Sequence, residues 1–271
     1  MFGSSILSSV TQHLSNAGHY VAHQVANAGN DASAVAHAAA NEVGSSVSKA
    51  QGMWNQAEAK GESAILKTTA GKKAATYASL MSQLQKAFVA ATEANPQALP
   101  QMKDAVEQRK VTPQLTDSVN QITSHPAMKE ALAEASHQSF ACFGIEFGGA
   151  VEAIGGADLA LGVVIGIPYV WQIGIAGTVG LTAGAEGGGD IDVALSLNMG
   201  APADSGGPFV AVLVEGDFDI GIGGSVSFNL PDCSFGGISV NGSAGEEVKF
   251  SERCGVHCGF EYIIKSTEIL L

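Results

Sequence analysis

Residues 159–169 read LALGVVIGIPY. The odd positions carry Leu159, Leu161, Val163, Ile165, Ile167 and Tyr169, and the even ones Ala160, Gly162, Val164, Gly166 and Pro168. Apolar bulk therefore repeats every second residue, which is how side chains alternate between the two faces of a strand. A helix would space its apolar residues by three and four. This stretch predicts a β-strand with one bulky aliphatic face and one face that is nearly bare.

The same alternation returns twice. Over residues 190–199, Asp190, Asp192, Ala194, Ser196 and Asn198 oppose Ile191, Val193, Leu195, Leu197 and Met199. Over residues 219–230, Ile220, Ile222, Val226, Phe228 and Leu230 oppose Asp219, Gly221, Gly223, Ser225, Ser227 and Asn229. Turn-forming residues separate these runs at 186–189, 200–208, 231–234, 241–245 and around 254–258. About eight strands joined by short connections predict an antiparallel meander, closed as a barrel or stacked as a sandwich. An apolar face opposite a small polar one is also the pattern of a membrane-inserted barrel. Tyr169 and Trp171 are the obvious interfacial aromatics in this half of the chain, fewer than an aromatic girdle needs. The preferred reading is a soluble barrel or sandwich, and a soluble form that inserts after a trigger fits the same pattern.

Composition places the limits of this β region. Residues 1–140 carry 10 acidic and 10 basic side chains, and residues 141–271 carry 16 acidic against 3 basic, so the net charge of -13 belongs to the second half. Of the 34 glycines, 7 precede residue 141 and 27 follow it. The expected division is a helical domain at 1–140 and a glycine-rich acidic antiparallel β domain at 141–271. Such acidity excludes a nucleic-acid partner, which requires a basic surface to displace counterions. No window reaches the roughly 18 apolar residues of a membrane-spanning helix. The first residues lack a basic and then apolar leader pattern. The expectation is cytoplasmic synthesis, with any export by a route independent of a signal peptide.

The first 60 residues follow another period. Ile6, Val10, Leu14, Ala17, Val21, Val25, Ala28, Ala32, Ala36, Ala39, Val43, Val47, Ala50 and Trp54 are spaced 4, 4, 3 over and over. An eleven-residue repeat keeps one narrow apolar stripe on a nearly straight helix. The words NAG at 16–18 and 27–29 repeat at the same interval. Val10, Leu14, Val21, Val25, Val43, Val47 and Trp54 are the candidate residues for membrane contact or self-association. His19 and His23 share one face of this helix, as surface histidines, as a metal-binding pair or as an acid sensor. A second helix is expected over 62–95, with Ile65, Tyr77, Leu80, Met81, Leu84, Phe88 and Ala91 on one face. Thr112-Pro113 and His125-Pro126 mark further helix starts. The predicted class is α+β: an N-terminal helical bundle with a long eleven-residue-repeat helix, then the antiparallel barrel or sandwich.

Three groups could carry chemistry. Asp204-Ser205-Gly206-Gly207-Pro208 resembles the nucleophile segment of chymotrypsin-like serine proteases, which would make Ser205 a nucleophile. The family's preceding glycine is Ala203 here, and the upstream chain reads as helix where the family's histidine lies in a barrel. The five residues are read as a loop, since Gly, Pro, Asp and Ser all serve turns. Asp190, Asp192, Asp204, Glu215, Asp217 and Asp219 are candidate calcium ligands, because calcium takes six to eight oxygens. GGGDID at 187–192 resembles a single unit of the calcium-binding β-roll repeats, and the alternative is a solvated acidic face. Cys142, Cys233, Cys254 and Cys258, with His257, leave free thiols, a disulfide or a zinc site open.

No phosphate loop, dinucleotide fingerprint or acid–base pair stands out, so no enzyme is expected. The leading expectation is a membrane-active or self-associating protein, a pore-forming toxin or effector, whose partner is a membrane or its own copies. No cofactor is expected beyond calcium. The alternative is a soluble β-barrel binding module for an apolar or carbohydrate ligand, with the helices as an oligomerisation arm.

Overall fold

Proline sets the start of two helices, at Pro113 and Pro126. The structure, a computed structural model, describes residues 62–149, 157–183, 193–214, 224–229, 232, 234–241 and 256–268. The eleven-residue stripe, with Val10, Leu14, Val21, Val25, Val43, Val47, Trp54 and the histidine pair, lies outside the described residues. Helix α1 (Glu62–Ala94) has 33 residues, a length of about 50 Å. It is followed by α2 (Ala98–Glu107), α3 (Pro113–Thr123) and α4 (Pro126–His137). Thr112 caps α3, its Oγ1 accepting from the Leu115 N–H at 3.1 Å, while Pro113 occupies the first turn. That turn has spare amide donors, so a proline there forfeits nothing.

Each helix buries one side. The expected face of α1 is inward: Leu80, Met81, Leu84, Phe88 and Ala91 are buried and Tyr77 is partly so. Met102 and Val106 of α2, Leu115 and Ile122 of α3, and Met128 and Leu132 of α4 join them. The helical part ends at His137, and by Cys142 the chain is a strand. Between them Phe140 is 2% exposed, and the Ala141 N–H donates to the Asn198 carbonyl at 3.0 Å.

Eight strands follow among the described residues: β1 (Cys142–Gly149), β2 (Ala157–Gly166), β3 (Gln172–Ala183), β4 (Ala194–Asn198), β5 (Gly207–Val214), β6 (Gly224–Asn229), β7 (Phe235–Asn241) and β8 (Val256–Glu268). Every ladder is antiparallel. The order of bonded neighbours is β1-β2-β3-β8-β5-β6-β7-β4, and β4 pairs in turn with β1. The chain is α+β: among the described residues, four helices and then an antiparallel sheet.

The register aligns the rows that the alternation predicted. Phe143 lies opposite Ile165 and Leu197, Ile165 opposite Ile173, and Leu197 opposite Ile238. These apolar residues and the inward sides of all four helices form one continuous core. Helix α1 packs on β5, β6 and β7 and on α4, and α2 packs on β2. The other face carries several small residues, with Gly144 opposite Val164 and Ser196, and Gly162 opposite Ala176. A Cβ on Gly162 would stand 2.7 Å from the Ile145 carbonyl oxygen and 3.0 Å from the Glu146 Cα. The absence of a side chain at position 162 answers to that close approach.

The sheet has two unlike ends. Gly149, Ala157, Ala183, Ala194, Val214, Gly224, Asn241 and Val256 lie at one end, as the ladders require. At the other are the start of β1, the β2–β3 turn, the β4–β5 loop and the β6–β7 turn.

Candidate functional site

Three kinds of candidate site follow from the sequence, and the described residues include part of each. The Ser205 loop joins β4 to β5. Its backbone turns where the Asp204 N–H donates to the Ala201 carbonyl at 2.8 Å, and the Ser205 hydroxyl donates to the Pro202 carbonyl at 3.2 Å. Gly207 has φ +148°, a conformation that side-chain-bearing residues rarely adopt. Serine and glycine in this pentapeptide thus serve the turn, the hydroxyl by closing it locally and the glycine by its backbone angle.

Of the six carboxylate candidates, Asp204 is described and is exposed. Asp190, Asp192, Glu215, Asp217 and Asp219 lie outside the described residues. Asp204 belongs to the sheet end opposite the strand ends that flank those five. The 8-residue strand β5 alone separates it from Val214, about 26 Å of chain. Among the described residues no three His, Cys, Asp or Glu side chains come together as metal ligands. Cys142 is buried, and its Sγ donates to the Phe143 carbonyl at 3.9 Å. His257 and Cys258 are successive residues of β8, opposite Ala211 and Val210 of β5.

Tyr169 and Trp171 sit in the β2–β3 turn. Tyr169 is 72% exposed, whereas the Trp171 indole lies against the backbone of Gly166. No helix among the described residues is long and apolar enough to cross a membrane.

The arrangement that periodicity did not foretell is the seam between α1 and the sheet. Ala74, Tyr77, Ala78 and Met81 of α1 face Val226 of β6 and Ile238 and Val240 of β7 across a crevice of about 20 Å³. At the end of that seam Tyr77 stacks on Phe235 with ring centroids 5.7 Å apart and planes 10° from parallel. Phe140 meets both rings edge-on, at 5.1 and 6.1 Å. The Lys73 Nζ lies 4.5 Å from the Phe235 centroid and 5.6 Å from that of Tyr77. A cation over aromatic faces is held by their quadrupoles. The seam thus ties the helical layer, the helix-to-strand crossover and the β6–β7 turn into one aromatic cluster.

Phe235 is anchored from its own side. The Asp232 carboxylate accepts from the Ser234 N–H at 3.1 Å and from its hydroxyl at 3.0 Å. Those bonds, the backbone one foremost, hold the Asp232 carboxyl below its ordinary range. Sequence reading noted residues 231–234 as a turn, and no signal in it pointed to the helix docked alongside.

Comparisons of the chain with protein-family models, with curated proteins and with solved structures found no match.

Proposed function

We propose that the chain is a non-enzymatic protein that acts by association, with a membrane or with copies of itself, and that a pore-forming toxin or effector is its concrete form. The observation that carries this reading is the pairing of a sheet face rich in buried apolar residues with helices that pack on it, α1 above all. Such a sheet is soluble while covered and adhesive once uncovered. The circuit of ladders supports a barrel over a sandwich. In this reading residues 1–60 form the eleven-residue-repeat helix of an N-terminal bundle, and its stripe of Val10, Leu14, Val21, Val25, Val43, Val47 and Trp54 meets the bilayer or another copy.

A binding module for an apolar or carbohydrate ligand needs a hollow, and ligand sites usually run to about 300 Å³ or more. The crevice beside α1, at about 20 Å³, has room for roughly one water. That favours association over ligand capture at this seam.

The test is dye release from liposomes of neutral and anionic phospholipid, between pH 5 and 7.5, with and without calcium, alongside sizing of the protein. The expected outcome is leakage together with oligomers under at least one condition. Intact vesicles and a monomer throughout would sink the reading.

A further inference from the structure

The two halves of α1 are held unequally. In the second half Leu84, Ala87, Phe88 and Ala91 are buried, and Phe88 meets the Phe143 ring edge-on at 6.5 Å. Toward the other end Ala70 is buried and Leu80 and Met81 begin the buried run, but between them Ala74 and Tyr77 are only partly buried, and the crevice runs beneath them. Gly71 interrupts this half at an exposed position where an added Cβ would meet nothing within 4 Å. A helix interior glycine weakens its segment, and small side chains gain little by burial. Among the described residues, helix strength and packing therefore both fall between Gly71 and Ala78, where the aromatic cluster with Lys73 opposes that trend.

We propose that residues 70–81 of α1 form an autoinhibitory strap. It detaches from β6 and β7 while residues 84–94 stay docked, and its release uncovers the apolar row of Val226, Ile238 and Val240. The Lys73–Tyr77–Phe235 stack is the latch. Local opening of a weakly packed segment on a firm body is the common route to such a switch. The inference rests on the proposed membrane-active function for its purpose, and on the geometry alone for its existence.

Native-state hydrogen exchange on the full chain, read by mass spectrometry, tests it. Amides of 72–81 are expected to exchange at least about tenfold faster than those of 84–94. Gly71→Ala, which adds a methyl into open space, should slow the strap about fivefold. Lys73→Gln, which unlatches it, should speed it by up to about fivefold while leaving 84–94 unchanged. Uniform protection along α1, or a strap indifferent to both substitutions, would overturn the proposal. The same two variants are then added to liposomes. If the exchange pattern holds but Lys73→Gln releases no more dye than the parent, the strap stands and the membrane reading falls.

Discussion

At Gly207 the backbone itself selects the residue. With φ at +148° and open space around the missing Cβ, Gly207→Ala is expected to cost about 1–3 kcal/mol through conformation alone. Ser205→Ala loses a hydroxyl bond to the Pro202 carbonyl and is expected to cost about 1 kcal/mol or less. Urea midpoints of the two variants check this ranking. A Ser205→Ala protein that kept its fold and lost a peptidase activity would reverse the loop reading. Asp232 gives a second residue-scale prediction, with its sign set by the lowered carboxyl pKa. A carboxylate held low in the folded state stabilises above the unfolded pKa, and that benefit is lost as pH falls through the folded value. Asp232→Asn should therefore destabilise the β6–β7 turn at pH 7 and match the parent once pH lies below the folded value. Thermal unfolding at pH 7 and in strong acid measures the difference, and a penalty that persists in acid would contradict it.

Among the elements, the aromatic cluster is where the helical layer and the sheet are coupled. A double-mutant cycle on Tyr77→Leu and Phe235→Leu is expected to give about 0.5–1.5 kcal/mol of coupling, the usual worth of a stacked pair beyond its buried area. Additive losses would show that α1 and the β6–β7 turn are merely neighbours. Element identity was legible in the sequence because it is local. Period two marked β2 and β6, threonine and proline marked α3, and the inward face of α1 followed from its spacing. The partner of that face was not legible, since nothing in Ala74, Tyr77 or Met81 says which strands lie opposite. The division of the candidate site follows the same rule. The turn character of 202–208 was readable from its residues, but that Asp204 lies at the sheet end opposite Ala183, Ala194, Val214 and Gly224 depends on strand order. Strand order is a long-range fact that no window of sequence contains.

On the scale of the whole molecule, the composition break near residue 140 marks a change of secondary structure, yet one core runs across it. Phe140 sits at the crossover, buried between Tyr77 and Phe235. Charge and glycine content report what each strand exposes to water, whereas the core is chosen by the apolar face that both halves share. The described core begins at Ala70 and includes helix and strand residues alike, so cutting at the composition break would strip the sheet of its cover. A cut before α1 should behave differently. Removal of residues 1–61 leaves the four helices and the sheet with their common core, and a single cooperative unfolding transition is expected, with a midpoint within a few degrees of the parent. The same truncation removes Val10, Leu14, Val21, Val25, Val43, Val47 and Trp54, and with them the proposed means of association. It should lower vesicle leakage or oligomer formation by about tenfold or more, the effect of losing only about 1.4 kcal/mol of apolar contact. Calorimetry and dye release on the one truncated protein read the two effects separately. A truncated chain that folds and still associates as well as the parent would move the contact surface onto the sheet, where the row beneath α1 becomes the remaining candidate.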